Sequence, residues 1–184
     1  IRYRLGHHAE LTGRCDTRRR MSDPTRTRTV SWADPAEHAW RASSGPGLEI
    51  LRKVIAGALP PAPMATLLGY ELLEVAEGLA IFGVTPAEYH YNPAGQVHGG
   101  FAATLLDSAM GCAVYTTVDT GSTYTTVEIK VNYLKPITVA TGPVRAIGRL
   151  LHRGRRTAMA EGRLEDAGGR LLAHATTTCL IWQP

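Results

Sequence analysis

The sequence predicts an α+β domain in which one long apolar helix is wrapped by an antiparallel sheet of about six strands. Three observations lead there. Residues 99–116 carry a helical pattern that is apolar on nearly every side. Two strand-length segments precede it and four follow, bounded by Gly- and Pro-rich turns. The strands and helices do not alternate in a βαβ series, which disfavours a doubly wound parallel sheet.

Taken in order, the elements read as follows. A first helix is expected over 35–58, with Asp34 as cap and Pro35 in its first turn. Trp40, Leu48, Leu51, Val54, Ile55 and Leu59 give it a packed face, broken near Gly45-Pro46-Gly47, and Pro60, Pro61 and Pro63 end it. Met64 to Leu68 reads as a short bridging turn. Tyr70, Leu72 and Val75 mark a first strand; Leu79, Ile81, Phe82 and Val84 mark its hairpin partner after Gly78. Pro86 to Gln96 is a long polar loop, and long ordered loops tend to carry function. In the 99–116 helix, Phe101, Leu105, Ser108 and Cys112 repeat at four, three and four, and Leu106, Ala109, Met110 and Ala113 widen the face. The remaining strands are Thr123–Tyr133, Thr141–His152, Arg156–Glu165 and Leu171–Trp182, with a hairpin turn at Asp166-Ala167-Gly168-Gly169. A sheet of this kind buries one face on the helix, and its exposed edge favours pairing with a second copy.

The chain has 184 residues, 44% of them hydrophobic and 20% charged, enough for one core. The net charge of +4 is unevenly placed. Residues 1–30 hold eight arginines against three acids, whereas the rest holds twelve basic and thirteen acidic groups. The core is therefore near neutral, which argues against nucleic acid as partner. Residues 1–30 read as a basic extension without fixed structure, 31–64 as a helical segment and 65–182 as the folded domain. Met21-Ser22-Asp23-Pro24 reads as an ordinary chain start and residues 1–20 as an upstream extension; a natural product whose intact mass includes Ile1 would overturn this. No apolar run is long enough to span a bilayer and no secretory pattern opens the chain. Cys15, Cys112 and Cys179 are widely spaced and odd in number, so free thiols in a reducing, cytoplasmic setting are expected.

The chemistry concentrates in Asn92-Pro93-Ala94-Gly95-Gln96-Val97-His98-Gly99-Gly100, with Asp107 seven residues on. The first turn of a helix has amides without intrahelical partners, and its dipole favours negative charge. Glycine there lets a ligand approach closely, so the terminus can hold a carbonyl oxygen as charge develops on it. An Asp about two turns deeper, facing a cleft, can serve as nucleophile or general base. Plainer readings stand beside these: Asn92 as a turn residue before Pro93, His98 as a support for the loop, Asp107 facing solvent. Ser108 has no partners at triad spacing and no nucleophile elbow is present. The histidines His90, His98, His152 and His174 lack ligand spacing, and no glycine fingerprint for a nicotinamide cofactor follows a strand.

The Asn-Pro-x-Gly-x-Val-His-Gly-Gly segment, the spacing to Asp107 and the strand beyond resemble the hotdog-fold acyl-CoA thioesterases, in particular the phenylacetate-pathway (PaaI-like) group. The resemblance covers about residues 65–181. It implies a helix wrapped by a sheet, homodimers joined through a continuous sheet, often paired into tetramers, and thioester hydrolysis at the dimer interface without a cofactor, coenzyme A being part of the substrate. It implies Asp107 as the catalytic carboxylate acting on the partner chain's thioester. It implies Gly100, with Gly99 second, as the amide that polarises the carbonyl. It implies that Asn92 positions the carbonyl or water, that His98 shapes the loop, and that Thr126 orients the water. Thr125 exchanges faces with Thr126 if the strand slips by one residue. The acyl pocket is expected between the helix and the Pro86 to Val97 loop, shaped by Tyr89 and Tyr91. Arg149, Arg153, Arg155 and Arg156 around one turn are candidates for the phosphates of coenzyme A, as is Lys135; a solvated hairpin turn is the plainer account of the arginines. The rival classes are a non-catalytic acyl-CoA-binding protein of the same fold and a dehydratase relative, and the joint presence of Asn92, Asp107 and Thr126 favours the thioesterase.

Overall fold

The computed structural model describes residues 25–35 and 45–183. The upstream extension and the first half of the expected N-terminal helix lie outside them. Residues 25–35 form no helix or strand. Arg28 donates to the carbonyls of Leu67 and Thr66 and stacks 4.2 Å above the Tyr89 ring, and Arg26 pairs with Glu88 at 3.0 Å. Arg28 finds two carbonyls at a helix end and an aromatic face, partners that local composition does not reveal.

Helix α1 spans Gly47–Ile55 and begins after Pro46, at the break the sequence marks. Its Ile50 and Leu51 enter the core. Helix α2, Pro63–Leu68, replaces the expected bridging turn and ends at Gly69, whose φ of 75° suits glycine. The strands are β1 Glu71–Ala76, β2 Leu79–Val84, β3 Thr123–Tyr133, β4 Val144–Arg153, β5 Thr157–Asp166 and β6 Leu171–Trp182. They form one antiparallel sheet in the order β1-β2-β4-β5-β6-β3. A register shift between Leu72 and Glu74 explains why Leu72 and Val75, three apart, both turn inward.

Helix α3, Gly99–Tyr115, lies across the inner face of the sheet. Leu105, Leu106, Ala109, Met110, Ala113 and Val114 are fully buried. The sheet meets it with small residues: Ala146, Gly148, Ala158, Ala160, Gly162 and Ala175. At Gly148 a Cβ would stand 2.2 Å from the Ala109 carbonyl oxygen, so only glycine permits this approach. The stripe Gly100, Ala103, Thr104, Asp107, Ser108 is the side left partly open. That stripe faces the same side as the β3 edge.

Strand β3 departs from simple alternation. Thr126 pairs with Cys179 and Glu128 with Thr178, so Val127 is an extra residue. Before the bulge Tyr124 and Thr126 face α3; after it Ile129, Val131 and Tyr133 do. The bulge carries the continuous apolar series from Val127 onward to the other face. Among the described residues no helix is long and apolar enough to cross a membrane.

Candidate active site

Asp107 sits on the open stripe of α3, half-buried. Thr126 Oγ1 donates to its Oδ1 at 2.8 Å across from β3. The hydroxyl is therefore committed to orienting the carboxylate. Thr125 is exposed on the outer face of the sheet, opposite Leu180, and does not join the site. The order of the two threonines follows from the bulge lying after Thr126, not before it.

The N-terminal end of α3 opens into a cleft of about 460 Å³ lined by Asn92, Val97, Gly99, Ala102, Tyr133 and Lys135 among others. Asn92 turns its loop with Oδ1, which accepts from the amides of Ala94 at 2.9 Å and Gln96 at 3.3 Å. Asn92 also lines the cleft. His98 is the N-cap of α3, and its Nδ1 accepts from the Gly100 amide at 2.9 Å. The expectation of a bare Gly100 amide is thus corrected: a histidine does the capping work usually done by Ser, Asp or Asn. With Nδ1 engaged, the proton of the neutral ring sits on Nε2. The Gly99 amide meets no acceptor among the described residues. Tyr133 holds this turn by donating to the Gly99 carbonyl at 2.9 Å. Alternation along β3 gave no hint of that role, because only the bulge brings Tyr133 to the helix side.

A second opening meets Asp107 itself. It is a mostly apolar cavity of about 210 Å³ lined by Asp107, Ser108 and Cys112 of α3, by Tyr70, Leu72, Phe82 and Tyr124, and by Val54, Pro61, Ala62 and Ala65 of the α1–α2 segment. Tyr70 and Ser108 share a hydrogen bond of 2.9 Å on its wall. The Pro86–Val97 loop lines the first cleft, through Asn92, Gln96 and Val97, and not this cavity. Tyr91 instead accepts from the Val139 amide at 2.9 Å and bridges to Val97, while Tyr89 is exposed beneath Arg28. No local sequence signal tied α1 and α2 to Asp107.

The other titratable groups serve structure. His90 is buried and stacked on Phe101, accepts from the Ala87 amide through Nδ1 and donates through Nε2 to the Leu68 carbonyl. Burial foremost, with Arg28 nearby, holds its pKa below the ordinary 6.5. Burial pushes the Cys112 thiol up to about 12 and raises Cys179, so neither is a nucleophile at neutral pH. Among the described residues no group of acids, histidines and cysteines could hold a metal ion. Arg153, Arg155 and Arg156 share a cleft of about 500 Å³ with Asp119, Ser122 and Trp182. Arg149 stands apart from them, exposed between Leu79 and Glu161 on the outer sheet face.

Residues 94–173, which hold both ends of this site, match the Thioesterase superfamily. A phenylacetic acid degradation-related protein of Ralstonia eutropha superposes with a TM-score of 0.65 at 29% identity, over 71% of this chain and 98% of that one. The chain has the hotdog fold, and its segment 94–173 is similar to the thioesterase superfamily. A Saccharolobus solfataricus protein classed provisionally as an esterase is 29% identical over 108 residues, 59% of this chain and 75% of that one. A Streptococcus mutans protein solved with acetyl CoA bound gives a TM-score of 0.57 at 25% identity, over 62% of this chain and 89% of that one. The hotdog neighbours agree with the single sheet wrapped on α3.

Proposed function

We propose that this hotdog protein is an acyl-CoA thioesterase for aryl or medium-chain acyl groups, working as a homodimer whose active sites are shared between copies. The observation that carries the reading is a separation. Gly99 and Asp107 lie eight residues apart on one straight helix, about 12 Å along its axis. Reacting atoms must come within roughly 3–3.5 Å. One chain therefore cannot both hold a carbonyl on the Gly99 amide and attack it through Asp107. A second copy docked on the apolar β3 edge supplies the missing half. Val127, Ile129, Tyr133 and Leu134 are exposed along that edge, beside the open stripe of α3.

In the shared site the thioester carbonyl oxygen accepts from the Gly99 amide at the positive end of α3, with the Asn92 side-chain nitrogen beside it. The partner's Asp107, oriented by its own Thr126, removes a proton from water as the water oxygen bonds to the carbonyl carbon. Collapse of the tetrahedral intermediate breaks the carbon–sulfur bond. The departing thiolate takes up the proton, giving free acid and coenzyme A. His98 supports the helix start and takes no proton in this scheme. Lys135 on the cleft supplies a cation for the coenzyme's phosphates. The arginines at 153, 155 and 156 are further candidates, since they line one cleft together. The Streptococcus mutans relative with acetyl CoA bound supports a coenzyme A thioester as substrate.

Thiol release from phenylacetyl-CoA and hexanoyl-CoA, followed spectrophotometrically, tests the reading. Asp107→Asn is expected to lower kcat by about 10²- to 10⁴-fold. Full activity in that variant defeats the mechanism. Tight binding without turnover in the unaltered chain assigns it to the non-catalytic acyl-CoA binders instead.

A further inference from the structure

We infer that the α1–α2 segment sets the size of the acyl group, with Val54, Ala62 and Ala65 as the residues that measure it. The inference rests on the thioesterase reading and adds its substrate limit. The cavity that opens on Asp107 has a catalytic-side wall from α3 and an outer wall from these three side chains and Pro61. Its remaining lining is aromatic and apolar: Tyr70 and Phe82 meet edge to face at 5.6 Å, and Tyr124 closes against α3. A group attached to a carbonyl beside Asp107 therefore enters an apolar space whose depth the N-terminal segment decides.

The volume, about 210 Å³, fixes the class. A dry apolar cavity of roughly 150 Å³ admits benzene. The space takes one aromatic ring or an alkyl chain of similar carbon count, and excludes long-chain acyl groups and bulky polar ones. Two of the three measuring residues are alanines, and Ala65 is itself buried. Room exists because those side chains are small. A phenyl group placed at residue 65 occupies the space that one ring of substrate needs.

The segment is also seated independently of the site. The Gly47 amide donates to the Val118 carbonyl at 2.9 Å, Ile50 and Leu51 are buried, and Arg28 ties the end of α2. A change of side chain at 54 or 65 thus alters the cavity rather than releasing its wall.

The test compares the full-length chain with Ala65→Phe and Val54→Ala. Two readouts are taken: kcat/KM over acetyl- to dodecanoyl-CoA, and Kd for S-methyl- and S-hexyl-coenzyme A, thioethers that cannot be hydrolysed. Each buried methylene is worth about fourfold. Ala65→Phe is expected to lower the hexanoyl-to-acetyl ratio of kcat/KM on the order of 100-fold, and the S-hexyl preference likewise. Val54→Ala is expected to move the optimum to longer chains, with about a fourfold gain per added methylene. If Ala65→Phe loses its cooperative thermal transition, Val54→Ala decides alone. Unmoved chain-length profiles in folded variants overturn the inference. Absence of turnover in the unaltered chain refutes the thioesterase reading, while the thioether Kd values still judge the cavity.

Discussion

Replacing Thr126 with Val removes one hydroxyl and leaves the shape of β3 nearly unchanged. In the structure that hydroxyl donates to Asp107 Oδ1 at 2.8 Å. Valine keeps the β-branched form that suits a strand, so the pairing with Cys179 persists. A hydrogen bond to a charged group is worth roughly 1.5–3 kcal/mol. Asp107 is half-buried, so water replaces part of the loss and about 1–2 kcal/mol remains. If that energy is spent on holding the carboxylate toward the thioester, kcat falls about 5- to 30-fold. KM for hexanoyl-CoA changes little, because the hydroxyl lines neither the acyl cavity nor the Gly99 cleft. Thr126→Ser restores the hydroxyl and most of kcat. The assay is steady-state thiol release, with a thermal melt in parallel. Unchanged kcat in a fully folded Thr126→Val chain refutes the positioning role, and a rise in KM alone assigns the residue to substrate binding.

Further outcomes follow from the same structure. Gly148→Ala forces a Cβ to 2.2 Å from the Ala109 carbonyl oxygen, so α3 must lift off the sheet. The loss is about 3 kcal/mol, a fall in Tm of roughly 6–12 °C by calorimetry, and an unchanged Tm contradicts the packing. His90 is neutral in the fold, and its Nδ1 must accept from Ala87. The unfolded chain takes a proton there near pH 6.5, the folded chain only lower. That stability is complete above pH 6.5 and is lost as pH falls toward the folded pKa. Melts between pH 7.5 and 5.5 are expected to show a steeper decline for the native chain than for His90→Gln; parallel declines sink this account.

Much of the fold was legible because two periods are written plainly in the chain. Small residues at Ala146, Gly148, Ala158, Ala160 and Gly162 alternate strictly and do line α3. The apolar run from Phe101 to Tyr115 is what a helix wrapped on most sides requires. Less legible was anything decided by one inserted residue or by distant contact. Val127 continues an apolar alternation, so the bulge that aims Thr126 at Asp107 is invisible in sequence. That His98 takes the Gly100 amide depends on a side-chain rotamer, which local sequence does not set. The cavity at Asp107 joins Val54 and Ala65 to it across more than forty residues, and Arg28 reaches α2 over a similar span. Such pairings are set by packing of whole elements, which local patterns do not encode.

The shared site is tested most directly by mixing two inactive chains, Asp107→Asn and Asn92→Ala, after dissociation and reassociation. Each mixed dimer then holds one site with both residues intact and one with neither. Random pairing predicts recovery of about a quarter of native activity. If the mixture stays as inactive as its components while mixed dimers form, both residues serve the same chain and the shared-site account is contradicted.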